Sequence, residues 1–285
     1  MNKESVIILG GDKRQRYIKE ILTEKDYICE YENQSADNIE EKLPNFRYVV
    51  LPVPSSKDKK HIYSENKTFV LSFDRLCEVL TDRHTLLSAG LDKRMIDLLK
   101  EKNIPFYDLN NDEDFLVYNA FLTAQGTLKL LLDNTEKHLN GRKVLITGFG
   151  RISKSLATLL KNLNLSITVC LRKDNQQNLA ECMGFNTIRY NSLADILPNT
   201  DFIFNTVPER IFNVRHIEKM KSDSVYFELA SAPFGVDREL FSNTKTKFVD
   251  SGALPGRFIP YSAGEKIAKF IENFIQRSET YANET

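Results

Sequence analysis

Several features that would narrow the class of this protein are missing from its sequence. The four cysteines, Cys29, Cys77, Cys170 and Cys182, form no C-x-x-C pair, so neither a redox motif nor a disulfide framework is indicated. Cys29 and Cys170 fall in strand-like runs, where we expect buried free thiols. Basic and acidic residues balance at 39 each, which leaves no net field that would attract nucleic acid or anionic lipid. We therefore predict a cytoplasmic protein without nucleic-acid or membrane partners.

Long hydrophobic runs are missing as well. No apolar stretch approaches the roughly 20 residues of a membrane-spanning helix, and the apolar run near the N-terminus is too short for a signal peptide. No metal-ligand spacing and no nucleophile elbow occurs, so metalloenzymes and hydrolases are disfavoured and no metal site is predicted. What remains, with 41% hydrophobic and 27% charged residues, is the composition of a globular protein.

What the sequence does contain is a regular alternation of short β-rich runs and helical patterns. The runs of the first part are Val6–Leu9, Tyr27–Tyr31, Tyr48–Leu51, Phe69–Leu71, Thr85–Ser88 and Pro105–Tyr107. Those of the second part are Val144–Thr147, Ile167–Leu171, Asn186–Tyr190, Phe202–Asn205, Val225–Leu229 and Lys247–Asp250. The helical patterns cover Lys13–Thr23, Asp92–Lys102, residues 119–139, Ile152–Asn162 and Ser262–Gln276. Near-continuous apolar strands that alternate with helices are typical of a parallel sheet covered by helices on both faces.

We accordingly predict an α/β fold with two Rossmann-like, doubly wound parallel-sheet domains and a cleft between them. A flavodoxin-like domain covers residues 1–118, and the acidic, turn-rich segment Asp108–Phe115 marks its edge. The second domain covers residues 119–261 and includes a linker helix over 119–139. Residues 262–285 form a C-terminal helix and tail, and the helix can pack on either domain.

The segment VLITGFGRISKSLATLL carries the most informative motif of the chain. Gly148 and Gly150 hold the first two positions of a G-x-G-x-x-G turn between a strand and a helix. Ser153 holds the third position, where a small residue still permits close packing. The N–H groups at the start of such a helix, here at Arg151 and Ile152, bind a pyrophosphate with the help of the helix dipole. The motif predicts a dinucleotide site, and a plain βα turn without a ligand is the alternative.

The end of the next strand indicates which dinucleotide this turn binds. An NAD site usually carries Asp or Glu there, roughly 20 residues past the glycines, to bind the ribose 2′-hydroxyl. This chain has Arg172 and Lys173 instead, and a guanidinium suits a 2′-phosphate. Asp174 follows and is expected to cap the next helix. The pattern favours NADP over NAD, and an exposed basic pair in a loop is the alternative.

Ligands of open α/β sheets bind outside the carboxyl ends of the strands. Three later strand ends of the second domain are Asn205–Phe212, Glu228–Gly235 and Asp250–Glu265. The residues there that we expect to line the cofactor are Thr206, Val207, Pro208, Ala230, Ser231 and Leu254. The prolines and glycines of these segments can equally be loop residues without a binding role.

The first βα turn, GGDKRQRY, offers a second anion site. It combines N–H groups at a helix start with Lys13, Arg14 and Arg16, and its adjacent glycines suit a small carboxylate better than a dinucleotide. Ser88, at a later strand end of the same domain, is predicted to line the same substrate site. The alternative is a solvated first turn that is rich in positive charge.

Polar residues also stand at the start of the linker helix. Asn119, Thr123 and Gln125 are predicted to face the cleft as catalytic residues. Alternatively, Asn119 or Thr123 only caps that helix.

Taken in order, the motifs GGDKRQ, LPVP, QGT, GFGRISKSLA, FNTVP, ELAS, GVD and LPGRFIPYSAGE resemble the family of dipicolinate synthase A subunits from spore-forming bacteria. The resemblance covers nearly the whole chain. It implies a two-domain fold similar to that of D-2-hydroxyacid dehydrogenases, with NADP bound at Gly148, Gly150 and Arg172. It also implies oxidation of a dihydrodipicolinate-type precursor to pyridine-2,6-dicarboxylate in the mother cell during sporulation. The implied partner is a second, flavoprotein-like subunit, the substrate is a small dicarboxylate, and a homo-oligomer is expected.

The chain departs from the pattern of that family at several positions. Family members usually have glycine at Ser153, glutamate at Gln125, a basic residue at Ala232, glycine at Phe234 and proline near Leu122. Gln125 can hold a hydrogen bond but cannot exchange a proton. A member with altered or lost activity is therefore one of the alternatives.

Three functions are consistent with the sequence. The first is the NADP-linked oxidation that the resemblance implies, in which the cofactor carries most of the chemistry. The second is a hydroxyacid dehydrogenase, which normally needs a His paired with a carboxylate. The histidines are His61, His84, His138 and His216, and none lies in the late strand-end loops; His138 is expected near a helix C-terminus. The third is a non-catalytic NADP-binding sensor or scaffold protein.

Overall fold

The computed structural model describes residues 3–283, which divide into two compact units. Among the described residues, the first unit consists of 3–118 together with 259–283, and the second of 119–258. The division between Tyr118 and Asn119 falls where the sequence analysis places it. The second boundary differs from the expected one, because residues 259–261 belong to the first unit.

The first unit contains one five-stranded parallel sheet. Its strands are β1 (Ser5–Leu9), β2 (Ile28–Glu32), β3 (Tyr48–Val50), β4 (Thr85–Ser88) and β5 (Phe106–Asp108). Its first helices are α1 (Lys13–Glu24), α2 (Ile39–Lys42), α3 (Phe73–Val79) and α4 (Lys93–Glu101). The strand order β2-β1-β3-β4-β5 is that of the flavodoxin-like doubly wound fold, as predicted.

The second unit contains a six-stranded parallel sheet. Its strands are β6 (Lys143–Thr147), β7 (Ser166–Cys170), β8 (Asn186–Ile188), β9 (Phe202–Asn205), β10 (Val225–Glu228) and β11 (Lys247–Asp250). The remaining helices of the chain are α5 (Glu113–Asp133), α6 (Arg151–Asn162), α7 (Asp174–Cys182), α8 (Leu193–Ile196), α9 (Val214–Lys219), α10 (Leu254–Phe258) and α11 (Pro260–Asn283). The order β11-β10-β9-β6-β7-β8 is the Rossmann order, with the strand order reversing beside β6.

Both sheets are apolar on both faces because helices cover each side. In the first unit, Ile7 and Leu9 face α3 and α4, whereas Val6 and Ile8 pack with α1 and α11. In the second unit, Ile146 packs with α5 and α6, and its neighbour Leu145 packs with α8 and α9. The short 3-10 helices in residues 3–283 are Leu43–Asn45, Leu109–Asn111, Tyr190–Ser192, Leu197–Asn199 and Arg238–Phe241. These two-sided cores explain the continuous apolar runs of the sequence.

The C-terminal helix α11 is a core element of the first unit. Ile267, Ile271 and Ile275 are buried in the cluster that contains Val6, and α11 packs against α1. The contact is close at Gly264, where an added Cβ would lie 2.8 Å from the carbonyl oxygen of Arg14. Helix α11 therefore belongs to the first unit instead of forming a segment of its own, and the glycine of the SAGE motif has a packing reason.

The linker helix differs from its predicted bounds. Helix α5 begins at Glu113, six residues before the expected start, because the Asp112 carboxylate accepts the Phe115 N–H at 2.7 Å. It ends at Asp133, so His138 is exposed beyond the helix and has no place at its C-terminus. The alternative that Asn119 or Thr123 caps the helix is wrong, since both lie in its interior.

Helix α5 is also long and apolar enough, by length and composition, to cross a membrane, with a mean hydropathy of 1.2. Half of the apolar window is buried within the protein. Its residues Ala124, Leu130 and Leu131 belong to the core of the second unit. Packing on the sheet accounts for its apolar composition, so the same helix is explained as a core helix.

Two further local predictions are wrong. Phe69–Leu71 is not a strand; Phe69 and Leu71 are buried in the core as part of a loop, and the Leu71 carbonyl accepts the Ile62 N–H at 2.8 Å. Their apolar character thus reflects burial without sheet pairing. Cys29 is only half-buried, whereas Cys170 is buried as expected.

Candidate functional site

The glycine turn follows the central strand β6 and leads directly into α6. Gly148 has φ of +80°, a left-handed conformation that favours glycine. An added Cβ there would lie 2.9 Å from Val207 Cγ2 and 3.0 Å from Thr206 Oγ1. Both the backbone conformation and the close approach of the loop after β9 therefore require glycine at this position.

Gly150 meets a different requirement. It is the N-cap residue of α6, its φ of −84° suits any residue, and no side chain caps the helix. An added Cβ would find no atom of the protein within 4 Å. The start of α6 thus presents its N–H groups without a side-chain cap, and Gly150 leaves room for a ligand in front of them. Arg151 is exposed and Ile152 is half-buried in the first turn.

Ser153 fills the third motif position with a buried side chain. Its hydroxyl and the Thr206 hydroxyl lie 2.7 Å apart. The Thr206 hydroxyl donates to the Thr147 carbonyl at 2.7 Å, so the Ser153 hydroxyl donates to Thr206. This chain of hydrogen bonds joins α6, the loop after β9 and the end of β6. The serine is therefore buried where the motif usually has glycine, and it adds a hydrogen bond to the loop after β9.

The strand end after β7 carries exposed positive charge at Arg172 and Lys173, which agrees with both interpretations of the sequence. The Arg172 guanidinium donates to the Glu209 carboxylate at 2.7 Å and lies 5.9 Å from the centre of the Tyr190 ring. Both effects of Glu209, its hydrogen bond and its charge, raise the pKa of Arg172. Lys173 is exposed at the N-cap of α7 without capping it through its side chain.

A second arginine beside this strand end was not predicted from the sequence. Arg189, which follows β8, donates to the Arg172 carbonyl at 2.6 Å and pairs with the Asp174 carboxylate. Asp174 is the first residue of α7 and does not cap it, so the predicted capping role is wrong. Arg189 holds the segment that presents Arg172. A basic residue at the end of the third strand of the unit was the available signal.

A buried polar network lies at the ends of β6, β9 and β10. The Thr147 hydroxyl donates to Asn205 Oδ1 at 2.6 Å, and Asn205 Nδ2 donates to Glu228 Oε1 at 2.6 Å. Glu228 is 4% exposed and also accepts from the Tyr226 hydroxyl and from the Ala230 and Gly235 N–H groups. Burial raises the pKa of Glu228, which these hydrogen bonds partly counteract. Glu228 thereby fixes the loop after β10, a role that sequence reasoning did not assign.

The other predicted cofactor residues have varied positions at this edge. Thr206 and Ala230 are half-buried, Val207 is buried, and Pro208 and Ser231 are exposed. The Leu254 side chain is buried, and an added Cβ on Gly126 would lie 2.8 Å from Leu254 Cβ. The QGT and LPGR motifs therefore meet in a packing contact. Phe234 has φ of +62°, which gives a physical reason for the glycine of the family at this position.

The first βα turn, in contrast, is closed by its own residues. The Gly11 N–H donates to the Tyr63 carbonyl, the Asp12 N–H to Gln15 Oε1, and the Arg14 N–H to Asp12 Oδ1. These contacts form a capping box at the start of α1. The N–H groups that sequence reasoning offered to an anion are therefore largely engaged within the protein.

Arg14 corrects the predicted substrate site in the same way. Its guanidinium donates to both carboxylate oxygens of Asp12, at 2.8 and 2.7 Å, and to the Val53 carbonyl. Its side chain is only 4% exposed, so Arg14 stabilises the turn and is not a free cation. Lys13 is exposed, and Arg16 is exposed beside Glu20 at 2.8 Å. Ser88 is buried, and its hydroxyl has no hydrogen-bond partner among the described residues.

The three predicted catalytic residues lie within α5. Thr123 is buried and its hydroxyl donates to the Asn119 carbonyl at 2.7 Å. Asn119 and Gln125 are half-buried. The role of these residues stays a prediction, with the Thr123 hydroxyl already engaged in the helix.

The histidines lie outside the glycine turn, and several of them have hydrogen-bond partners that explain their positions. His84 is buried between Thr81 and Leu43, and the His216 ring accepts the Asn213 N–H at 3.2 Å. Burial lowers the pKa of His216. Among residues 3–283, the His–carboxylate pair is His61 with Asp58, in an exposed loop of the first unit. The same residues contain no group of three His, Cys, Asp or Glu side chains that could hold a metal ion.

Comparison with known proteins matches each unit to a family. Residues 5–110 match the N-terminal domain of the dipicolinate synthase A subunits. Residues 118–251 match the NAD binding domain of the D-isomer specific 2-hydroxyacid dehydrogenases. The fold and the glycine turn thus define a two-unit α/β protein with an NAD-binding domain of the hydroxyacid dehydrogenase type.

Similarity to whole proteins is more specific. The dipicolinate synthase A subunit of Bacillus subtilis (strain 168) is 23% identical over 287 residues, which cover 95% of each chain. The crystal structure of the corresponding protein from Bacillus halodurans has a TM-score of 0.83 at 22% identity, covering 95% of this chain and 98% of the other. The crystal structure from Bacillus subtilis has a TM-score of 0.83 at 20% identity, covering 99% and 98%. Over nearly its whole length the chain is thus similar in sequence to a dipicolinate synthase A subunit, and it has the fold of two of them.

Proposed function

We propose that this protein is an NADP-linked oxidoreductase that acts as the A subunit of a dipicolinate synthase. The substrate is a dihydrodipicolinate-type precursor and the product is pyridine-2,6-dicarboxylate. Its similarity to the dipicolinate synthase A subunits and its NAD-binding domain support the reaction class. The same proposal includes the sporulating mother cell as its location, a flavoprotein-like partner protein and a homo-oligomeric state.

One observation supports the nucleotide assignment above the others. Of the two βα turns that could bind an anion, the first is capped by Asp12 and Gln15, whereas α6 starts at an uncapped glycine. The strand end beside α6 carries an exposed guanidinium at Arg172 and no acid at the position where NAD sites have one. A basic residue there suits the 2′-phosphate of NADP.

The residues of this edge fit a dinucleotide in distinct roles. The uncapped N–H groups of α6 would hold the pyrophosphate, and Gly148 and Gly150 permit its close approach. Arg172 would bind the 2′-phosphate. The network centred on Glu228 holds the loop that contains Ala230. When bound, NADP supplies the hydride acceptor, and the aromatic product favours oxidation of the precursor.

Binding of the dicarboxylate substrate is assigned to the first unit. Lys13 and Arg16 are exposed in the first turn of α1 and are the candidates for its carboxylates. Arg14 is left out of this role because it is paired with Asp12.

The assignment is tested by titrating the purified protein with NADPH and NADH and following nicotinamide fluorescence. The chain contains no tryptophan, so the protein adds only weak tyrosine emission. We expect NADPH to bind more tightly than NADH and Arg172→Ala to abolish that preference. The matched control is Arg75→Ala, a half-buried arginine paired with Glu40 at 2.9 Å in the first unit. Equal binding of the two nucleotides would contradict the NADP assignment, and no binding of either would contradict the oxidoreductase proposal.

A second candidate function is a non-catalytic NADP-binding sensor or scaffold. Gln125 favours it, because a glutamine cannot exchange a proton where the family has glutamate. Assay of dipicolinate formation with the partner protein separates the two functions. If the wild-type protein binds NADPH without turnover and Gln125→Glu restores turnover, the chain is a sensor derived from an enzyme. Turnover by the wild-type protein excludes the sensor function.

A further inference from the structure

The ion pair between Arg172 and Glu209 crosses the glycine turn. Arg172 lies two residues beyond the end of β7, and Glu209 lies four residues beyond the end of β9. In the sheet order β9-β6-β7, these two strands flank β6 on opposite sides. A 2.7 Å contact between their side chains therefore passes over the end of β6, where the turn at Gly148 begins.

Few other contacts would retain this geometry if the pair opened. Both side chains are more than half exposed, at 57% for Arg172 and 54% for Glu209. The described contacts of the Glu209 side chain are with Arg172 alone. The Arg172 guanidinium also faces the Tyr190 ring, and its backbone is fixed by Arg189. The Arg172 backbone therefore stays fixed when the ion pair opens, whereas the Glu209 side chain can move away from it.

We propose that Glu209 competes with the 2′-phosphate of NADP for Arg172 and so limits the affinity for NADP. This inference rests on the proposed function. A carboxylate carries one negative charge and a 2′-phosphate close to two, with three acceptor oxygens. The phosphate therefore displaces the carboxylate, and NAD, which has a hydroxyl at that position, does not. Binding of NADP must first break the exposed ion pair, so the affinity for NADP is lowered by the free energy of that pair. The affinity for NAD is nearly unchanged, because NAD leaves the pair intact.

The test is a nucleotide titration of Glu209→Gln, which keeps the shape of the side chain and removes its charge. We expect NADPH to bind about two- to fivefold more tightly, the range that corresponds to an exposed ion pair, and NADH to change by less. The gain should shrink as salt is raised, because exposed charges are screened. The matched control is Glu40→Gln, which breaks the Arg75–Glu40 pair of the first unit; the Glu40 side chain, at 52%, is about as exposed as that of Glu209.

A double-mutant cycle identifies the cause of any gain. In an Arg172→Ala background, Glu209→Gln should no longer tighten NADPH binding. Unchanged or weaker NADPH binding by Glu209→Gln would overturn the inference, as would an equal gain for NADH or for Glu40→Gln. These outcomes differ from failure of the proposed function, in which the wild-type protein itself shows no NADPH binding or no preference over NADH; that result would overturn both.

Discussion

The Arg172 guanidinium and the Glu209 carboxylate meet 2.7 Å apart, although their strands β7 and β9 are separated by β6. The basic strand end was visible in the sequence, but its partner was not. Glu209 lies 37 residues further along the chain, within the VPER segment. Only the strand order brings the two side chains together over the glycine turn.

Reversal of charge at Arg172 should reverse the nucleotide preference. Arg172→Glu places an acid where NAD sites carry one for the ribose 2′-hydroxyl, and it repels a 2′-phosphate. We expect NADPH affinity to fall by about 10- to 100-fold and NADH affinity to change little or rise. Fluorescence titration with both nucleotides measures this. If the affinities for NADPH and NADH were lost together, Arg172 would support the fold of the turn and would not bind the 2′-phosphate.

The two glycines of the turn should respond differently to the same substitution. Gly148→Ala adds a Cβ at φ of +80° and within 3.0 Å of the loop after β9, so we expect a loss of about 1–3 kcal/mol in stability. Gly150→Ala meets no atom and should cost less than about 1 kcal/mol, yet it should weaken NADPH binding severalfold. Urea unfolding and nucleotide titration of both variants check this. Full NADPH affinity in Gly150→Ala would argue against a ligand at the start of α6.

Arg14 should matter for stability and Lys13 should not. Arg14→Ala leaves the Asp12 carboxylate buried without its partner, and we expect a loss of about 3–5 kcal/mol. The Lys13 side chain is exposed, so Lys13→Ala should change the free energy of unfolding by less than about 0.5 kcal/mol. Urea unfolding of the two variants measures the difference. A stable Arg14→Ala protein with impaired substrate binding would restore Arg14 as a substrate ligand.

Glu228 should contribute a pH-dependent part of the stability. Since all four of its partners are donors, Glu228→Gln places an amide N–H against donors and should cost about 2 kcal/mol or more. The folded-state pKa is raised above its ordinary value of 4.5, so the folded chain binds the extra proton between the two pKa values. This contribution is present in full below pH 4.5 and is lost as pH rises through the folded pKa. The stability difference between wild type and Glu228→Gln, measured by urea unfolding, should therefore shrink with rising pH; a growing difference would contradict the direction of the shift.

The sheet architecture could be predicted because it depends on local patterns. Two-sided burial makes each strand a continuous apolar run, and helices between strands impose the parallel direction. The prediction of a strand at Phe69–Leu71 failed because a loop that is buried in the core is also an apolar run. The predicted start of α5 was wrong because Asp112, which caps the helix, lies in a segment whose composition is typical of turns.

The candidate site was predictable in part. Gly148, Gly150 and Arg172 follow from a motif whose spacing is local. The spacing of residues alone could not show whether Arg14 is paired with Asp12 or is a free cation, because the two cases differ in the exposure of the side chain. Glu209, Arg189 and Glu228 act through contacts made between different strand ends, which no local pattern encodes.

The return of α11 to the first unit has a consequence for how the chain is made. The core around Val6 includes Ile267 and Ile271, so the first sheet lacks one of its covering helices until α11 leaves the ribosome. The NAD-binding unit, which ends at Phe258, is complete before that. We therefore expect the order of folding during synthesis to be inverted, with the downstream unit forming first and the upstream unit exposing apolar surface in the meantime. In nascent chains stalled so that Phe258 has left the ribosome and α11 has not, the first unit should be the target of chaperones.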